Sequence, residues 1–406
     1  MRPNLLCRHE GERQAVRLWR SNRLSPGTIA IYLRWVHHFR AYCSQRGLDE
    51  TSQLTRDGAV RFARAYVGPR NRGAPAAKTR SLACNALRAW AWARHLLKVP
   101  VPPWKPKKPA ARLSPLLAAY CEHRRSRCGV AKATLGRDVE TAKAFVLLLQ
   151  RRGKSVHRAG ITDIDRFVLE LSRRVSRSTV RDRGKSLRAF LRFLQLTGRL
   201  HRDLASCVVT PRIRLAERPP RALLWIQVRR LLRSIPQTLP PGKRDYAMLL
   251  MMATYGLGAA EVLGLRLEDV DWKSAVLRVR RPKTGTPIEL PLLSPVARAL
   301  AAYLGGGRPR PAEARQIFLN ARIPYEPLTS GAIGHRIRYY AGQVGITSKV
   351  LGAHVLRHSH ASRQIDLAAN LKVVSDILGH RHPSSTSVYV RVALRRLRSV
   401  ALPVPR

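Results

Sequence analysis

The chain has 406 residues, enough for two or three domains that each bury a core of their own. Lysine and arginine number 76 against 24 aspartates and glutamates, a formal charge of +52 that repels itself unless a polyanion lies against it. A nucleic acid is therefore the expected partner, ahead of a ribosomal-type role, a membrane-surface role or an Arg-rich codon bias, which by itself would not suppress the acids.

No stretch approaches the roughly 18 apolar residues of a membrane span, and the start MRPNLLCRHEGERQ lacks the apolar core of a signal peptide. The expectation is a soluble, cytoplasmic protein with no membrane partner. Residues 1 to about 20 read as a basic lead-in. From Ser25-Pro26-Gly27-Thr28 a capped helix begins, with Ile29, Tyr32, Leu33, Val36 and Phe39 on one face, and it stops at Arg46-Gly47. A second helix follows Thr55-Arg56-Asp57, and a third runs from Lys78 to about Leu97. These make a first helical domain, 1–100, closed by a Pro- and Lys-rich linker at 101–112, where no helix can persist.

The next segment repeats the first. Thr28, Phe39 and Gly47 recur with identical spacing as Thr134, Phe145 and Gly153, and Thr79 with Leu87-Arg88-Ala89-Trp90 recurs as Thr179 with Leu187-Arg188-Ala189-Phe190. A second helical domain, 113–207, follows from that, then a Pro- and Arg-rich linker at 208–222. Six cysteines (Cys7, Cys43, Cys84, Cys121, Cys128, Cys207) lack paired short spacing and read as buried hydrophobes or free thiols. Cys121-x-His123 with Cys128 lacks a fourth ligand at finger spacing, so neither metal nor cofactor is expected.

Residues 223–406 form the last domain. Leu223–Leu232 and Tyr246–Tyr255 read as helices, the second apolar enough to be buried. Residues 275 to 292 alternate apolar and charged side chains around Lys283-Thr284-Gly285-Thr286, the pattern of a β-hairpin turning near Gly285. The fold class is mainly α with a small β-hairpin or sheet. Toward the end, short amphipathic helices carry His354, Arg357, His380 and Tyr389. A guanidinium fits two phosphate oxygens and stays charged, and a tyrosine hydroxyl can act as a covalent nucleophile. His358 and His360 read as packing or backbone-contact residues, with no carboxylate cluster to make them metal ligands.

The run His354-x-x-Arg357-His358, then Leu378-Gly379-His380, then Tyr389, resembles the second signature box of the tyrosine recombinases, or phage integrases. With Ala253 to Glu261 and the hairpin around Lys283, the resemblance covers roughly residues 222 to 395. It implies an α+β catalytic domain preceded by a core-binding (SAM-like) helical domain, usually single in the family and here present in tandem by the repeat, with double-stranded DNA as partner and action in the cytoplasm on the bacterial nucleoid. It also implies Tyr389 as nucleophile, Arg357 on the non-bridging oxygens, His354 handling a proton, His380 giving a further hydrogen bond and Lys283 protonating the departing 5′ oxygen.

In the family a Gly-Leu-Arg-x-x-Glu run supplies a first phosphate-binding arginine; here Gly258 stands in its place, followed by Glu261 at the family's acidic position. Two functions follow. One is a DNA integrase or recombinase of a mobile element that works as a homo- or hetero-tetramer, with a substitute such as Arg280 or Arg281 for the missing arginine. The other is a catalytically weakened, DNA-binding accessory subunit beside sibling recombinases. A type IB topoisomerase shares the tyrosine chemistry but fits the duplicated helical domains less well.

Overall fold

The computed structural model describes residues 9–67, 74–105, 112–213, 222–282, 285, 287–310, 313–347 and 351–379. Lys283, His380, Tyr389 and the tail after it lie outside these described residues. The chain divides into two compact units, one formed by 1–107 together with 220–406 and the other by 108–219. Cys43 is a buried free thiol, and Cys84, Cys121, Cys128 and Cys207 are free as well.

The first unit opens with helices α1 (Glu10–Ser21), α2 (Pro26–Ser44), α3 (Glu50–Gln53), α4 (Arg56–Val67) and α5 (Ala74–Leu96). Helix α1 corrects the expectation of a basic lead-in. Its arginines mask an apolar face made of Ala15, Val16 and Trp19, all buried, and the Trp19 indole N–H donates to Ala89 O at 3.3 Å. Glu12 on the same helix is fully buried and is ion-paired by Arg40 and by His37, the latter at 3.2 Å. A buried carboxylate needs such partners, so α1 is an integral wall of this bundle.

Ser25 caps α2 by accepting from the Thr28 N–H at 3.2 Å, with Pro26 in the first turn. In the second unit, helices α6 (Pro115–Glu122), α7 (Lys132–Arg151), α8 (Ile161–Arg174) and α9 (Arg177–Leu196) repeat these roles. Phe39 and Phe145 are both fully buried, as are Leu87 and Leu187 and the pair Trp90 and Phe190. Gly47 and Gly153 both end a helix at positive φ, 60° and 66°. Among the differences between the two, Trp92 of α5 packs edge-on against Tyr325 at 5.3 Å within its own unit, whereas its counterpart on α9 is the exposed Arg192.

The rest of the first unit comprises α10 (Trp225–Arg233), α11 (Pro240–Tyr255), α12 (Ala259–Gly264), strands β1 (Val270–Asp271), β2 (Val276–Arg280) and β3 (Pro287–Pro291), then α13 (Ser294–Gly306), α14 (Ser330–Gln343), α15 (Val355–Asp366) and α16 (Leu371–Leu378). The hairpin pairs antiparallel from Val276 opposite Pro291 to Arg280 opposite Pro287. β1 adds a third strand that sequence alternation is too short to reveal. Leu277 and Val279 face the core while Arg278 and Arg280 face outward, the period-two pattern of a half-buried strand.

Helix α11 is buried almost all round, with Met248, Leu249, Met251 and Met252 fully inside. Two polar groups anchor it. Arg244 and Asp245 form a buried ion pair at 2.7 Å; Arg244 Nη1 donates to Leu319 O at 3.0 Å, and the Tyr340 hydroxyl donates to Asp245 Oδ2 at 3.0 Å. At the other end, His360 of α15 is buried and donates from Nδ1 to Ala253 O at 2.9 Å. The packing role expected of His360 is the one observed, and burial, with the nearby Arg357 charge adding to it, holds its pKa below the ordinary 6.5.

Two outcomes follow. Asp245→Ala leaves Arg244 buried and uncompensated, and urea unfolding of the full chain should show a loss of about 3–5 kcal/mol. His360 is neutral when folded and takes a proton more readily when unfolded. Its contribution to stability is therefore complete above the unfolded value near 6.5 and falls as pH drops through the lower folded value. Melting temperatures measured from pH 7.5 to 5 should decline, and His360→Gln, which keeps an N–H donor, should decline less; equal slopes would remove His360 as the cause.

Candidate active site

The site begins where α11 has to stop. Gly256 takes φ +64°, and a Cβ there would sit 2.6 Å from His360 Cδ2, so both the left-handed turn and the close approach of α15 require glycine. The chain then extends through Leu257 to Gly258 (φ −76°, ψ 159°), the residue that caps α12. Its N–H donates to Glu261 Oε2 at 2.6 Å. Glu261 thereby satisfies one of the unpaired amides at the helix start, where a negative charge is also favoured.

Arg357, in the first turn of α15, reaches the same carboxylate. Its Nη1 donates to Glu261 Oε2 at 2.7 Å and to Gly256 O at 3.1 Å, and its Nη2 donates to Leu378 O. The two side chains are 14% and 13% exposed. One guanidinium thus ties together the ends of α11, α12 and α16. A charge-assisted bond and two carbonyls hold it in one orientation. His354 is the N-cap residue of the same helix and is exposed; its carbonyl accepts from the His358 N–H at 3.0 Å.

Position 258 opens onto this pair. A Cβ built on Gly258 would stand 3.2 Å from Glu261 Oε2 and 3.5 Å from Arg357 Nη1. A side chain at this position would start beside the guanidinium, and the extended backbone there accepts any residue. Gly258 and Glu261 are therefore neighbours of Arg357, which is 96 residues beyond Glu261 in sequence.

A second guanidinium reaches the site from the hairpin. Arg281, the residue after β2, is 9% exposed, and its Nη2 donates to Asp376 O and Ile377 O, both at 2.8 Å. Burial pushes its pKa below the ordinary arginine value, the Glu261 charge opposing that shift and the Arg357 charge reinforcing it. Arg280, which the sequence offers on equal terms, is exposed on the outer face of the strand. Only the paired strand decides between them, because adjacent residues point to opposite faces. Lys283, His380 and Tyr389 lie outside the described residues.

The other concentration of charge is in the second unit. Arg177, Arg181, Lys185 and Arg188 on α9, with Arg212, line an open groove of about 800 Å³. Spaced three and four apart, the α9 side chains share one helix face. Among the described residues no three His, Cys, Asp or Glu side chains converge as a metal site would require, and no helix is long and apolar enough to cross a membrane.

Comparison with known proteins places this geometry. The phage integrase family matches residues 223–396. The chain is 34% identical over 289 residues to the Sinorhizobium fredii protein y4rA, assigned by name to the integrases/recombinases, covering 71% of this chain and 70% of that one. To the tyrosine recombinase XerD of Yersinia pestis it is 30% identical over 291 residues, covering 71% of this chain and 96% of the relative. Similar folds are found in XerH recombinase bound to a palindromic difH substrate (TM-score 0.57, 15% identity, 86% of this chain and 94% of that one). They are also found in a lambda integrase dimer bound to a core site (TM-score 0.52, 16% identity, 72% and 99%). With these shares of sequence and this fold, the chain belongs to the phage integrase family, the tyrosine recombinases, which are DNA breaking-rejoining enzymes.

Proposed function

We propose that this chain is a site-specific recombinase of a mobile element that cuts and rejoins DNA through a 3′-phosphotyrosyl bond to Tyr389. The observation that carries the reading is Arg357, fixed by Glu261, Gly256 O and Leu378 O, with His354 at the N-cap of the same helix. That arrangement supports a scissile phosphate seated on Arg357.

The Tyr389 oxygen attacks phosphorus and gives up its proton, for which His354 is the assigned acceptor. The bond from phosphorus to the 5′ oxygen breaks, and that oxygen takes a proton, for which Lys283 is the assigned donor. His380 adds a hydrogen bond to the phosphate. One phosphodiester is exchanged for another, so rejoining needs neither ATP nor a cofactor. The basic groove on α9 supports contacts to the phosphate backbone, which hold a duplex whatever its sequence. Proteins of the same fold are known bound to DNA, among them the Tn1549 transposon integrase with circular intermediate DNA (TM-score 0.52, 19% identity). Work as a homo- or hetero-tetramer on DNA, with sibling recombinases as partners, belongs to the same reading.

A second reading rests on Gly258. Loss of one donor to the reacting phosphate costs on the order of 10²-fold in rate or more, yet leaves backbone binding almost intact. The chain would then be an accessory DNA-binding subunit with weakened chemistry.

Denaturing gels separate the two. The purified full chain, incubated with nicked duplexes that tile the DNA flanking its own gene, should form a covalent adduct that Tyr389→Phe abolishes. An adduct from Gly258→Arg alone would transfer the assignment to the accessory reading. No Tyr389-dependent adduct from either protein, on DNA that both bind, would end the phosphotyrosyl proposal.

A further inference from the structure

We propose that Arg281 supplies the second guanidinium of the phosphate site, from the hairpin, in place of the one that Gly258 lacks. The inference rests on the phosphotyrosyl reading above and gives it a specific residue.

The first argument is charge. Arg281 is nine-tenths buried, and among the described residues no carboxylate is ion-paired to it. Glu261 is engaged by Arg357 and by the Gly258 N–H, and the Asp376 carboxylate pairs with Lys372 at 3.2 Å. A buried cation without a counter-ion is costly, by several kcal/mol after relaxation. The cost is removed if an anion binds there. The Arg281 Nε is in addition buried without a hydrogen-bond partner among the described residues, an unmade bond of the kind that a ligand oxygen satisfies.

The second argument is position. Arg281 and Arg357 donate to three successive carbonyls at the end of α16: Asp376 and Ile377 for the first, Leu378 for the second. Consecutive carbonyls of one helical turn lie only a few ångströms apart, so the two guanidinium groups converge on one spot. Gly379, at φ +63°, closes the helix there, and a Cβ on it would collide with Arg281 Nη1. The sequence thus keeps glycine where the second guanidinium needs room, and keeps glycine at 258 where the family's arginine would otherwise stand.

A helix clamp alone is the competing account, since Arg281 Nη2 does hold α16. That role needs hydrogen bonds but not a full charge, and it leaves the unpaired Nε unexplained. It also predicts a different response to a second substitution.

The test is adduct formation by the full chain on the nicked duplexes described above, with duplex affinity and melting temperature measured alongside. Arg281→Ala should slow adduct formation on the order of 10²-fold while duplex affinity changes little, because dozens of other basic side chains hold the backbone. Adding Gly258→Arg to Arg281→Ala should restore at least a tenth of the original rate, since a guanidinium returns to the same pocket from the other side. An undiminished rate in Arg281→Ala would overturn the inference and leave the recombinase reading standing. So would a loss that Gly258→Arg does not repair in a protein that melts early, which is the clamp's signature. Adduct from Gly258→Arg but none from the unaltered chain would also overturn it. Absence of any Tyr389-dependent adduct would remove the recombinase reading itself.

Discussion

The Arg357–Glu261 ion pair is the contact on which the rest of the site depends. Glu261 can reach Arg357 only because Gly258 opens α12 with its amide on the same carboxylate, and Arg357 can reach Glu261 only because α15 comes within touching distance of Gly256. The remaining donors of Arg357 go to carbonyls at the ends of α11 and α16. Three helix termini are thus locked by one planar cation, whose rigid fork suits it to several acceptors at once.

The scaffold around position 258 does not depend on a side chain there. Gly258 takes an extended conformation that any residue could adopt, and its amide bond to Glu261 needs no side chain. The backbone reasons for glycine lie elsewhere, at Gly256 and Gly379, where positive φ coincides with close approach by His360 and Arg281. The backbone at 258 therefore leaves the residue free, while glycine at 256 and 379 is a matter of folding.

The helical repeats show divergence built on a common frame. Phe39 and Phe145, Trp90 and Phe190, and the paired stop glycines preserve the same packing in both. On the face that carries Trp92 in the first, the second carries Arg192. The first copy uses that position for apolar packing on Tyr325, and the second keeps it charged and exposed. Replacing an aromatic by a cation changes what a helix face can bind while leaving its core untouched.

The sequence by itself determined the helices, the hairpin, the repeat and the family. Apolar spacing of three and four, caps such as Ser25, and alternation from Val276 to Arg280 are local signals that survive in the folded chain. Only the tertiary structure decided that α1 is part of the first core, because its arginines dilute the apolar signal that Trp19 and Val16 carry. Only the tertiary structure, too, buried Arg281 while leaving Arg280 exposed and joined Glu261 to Arg357 across about a hundred residues of chain. Contacts between residues distant in sequence leave no periodicity to read; they exist because helix ends converge in space, and convergence is a property of the packed core.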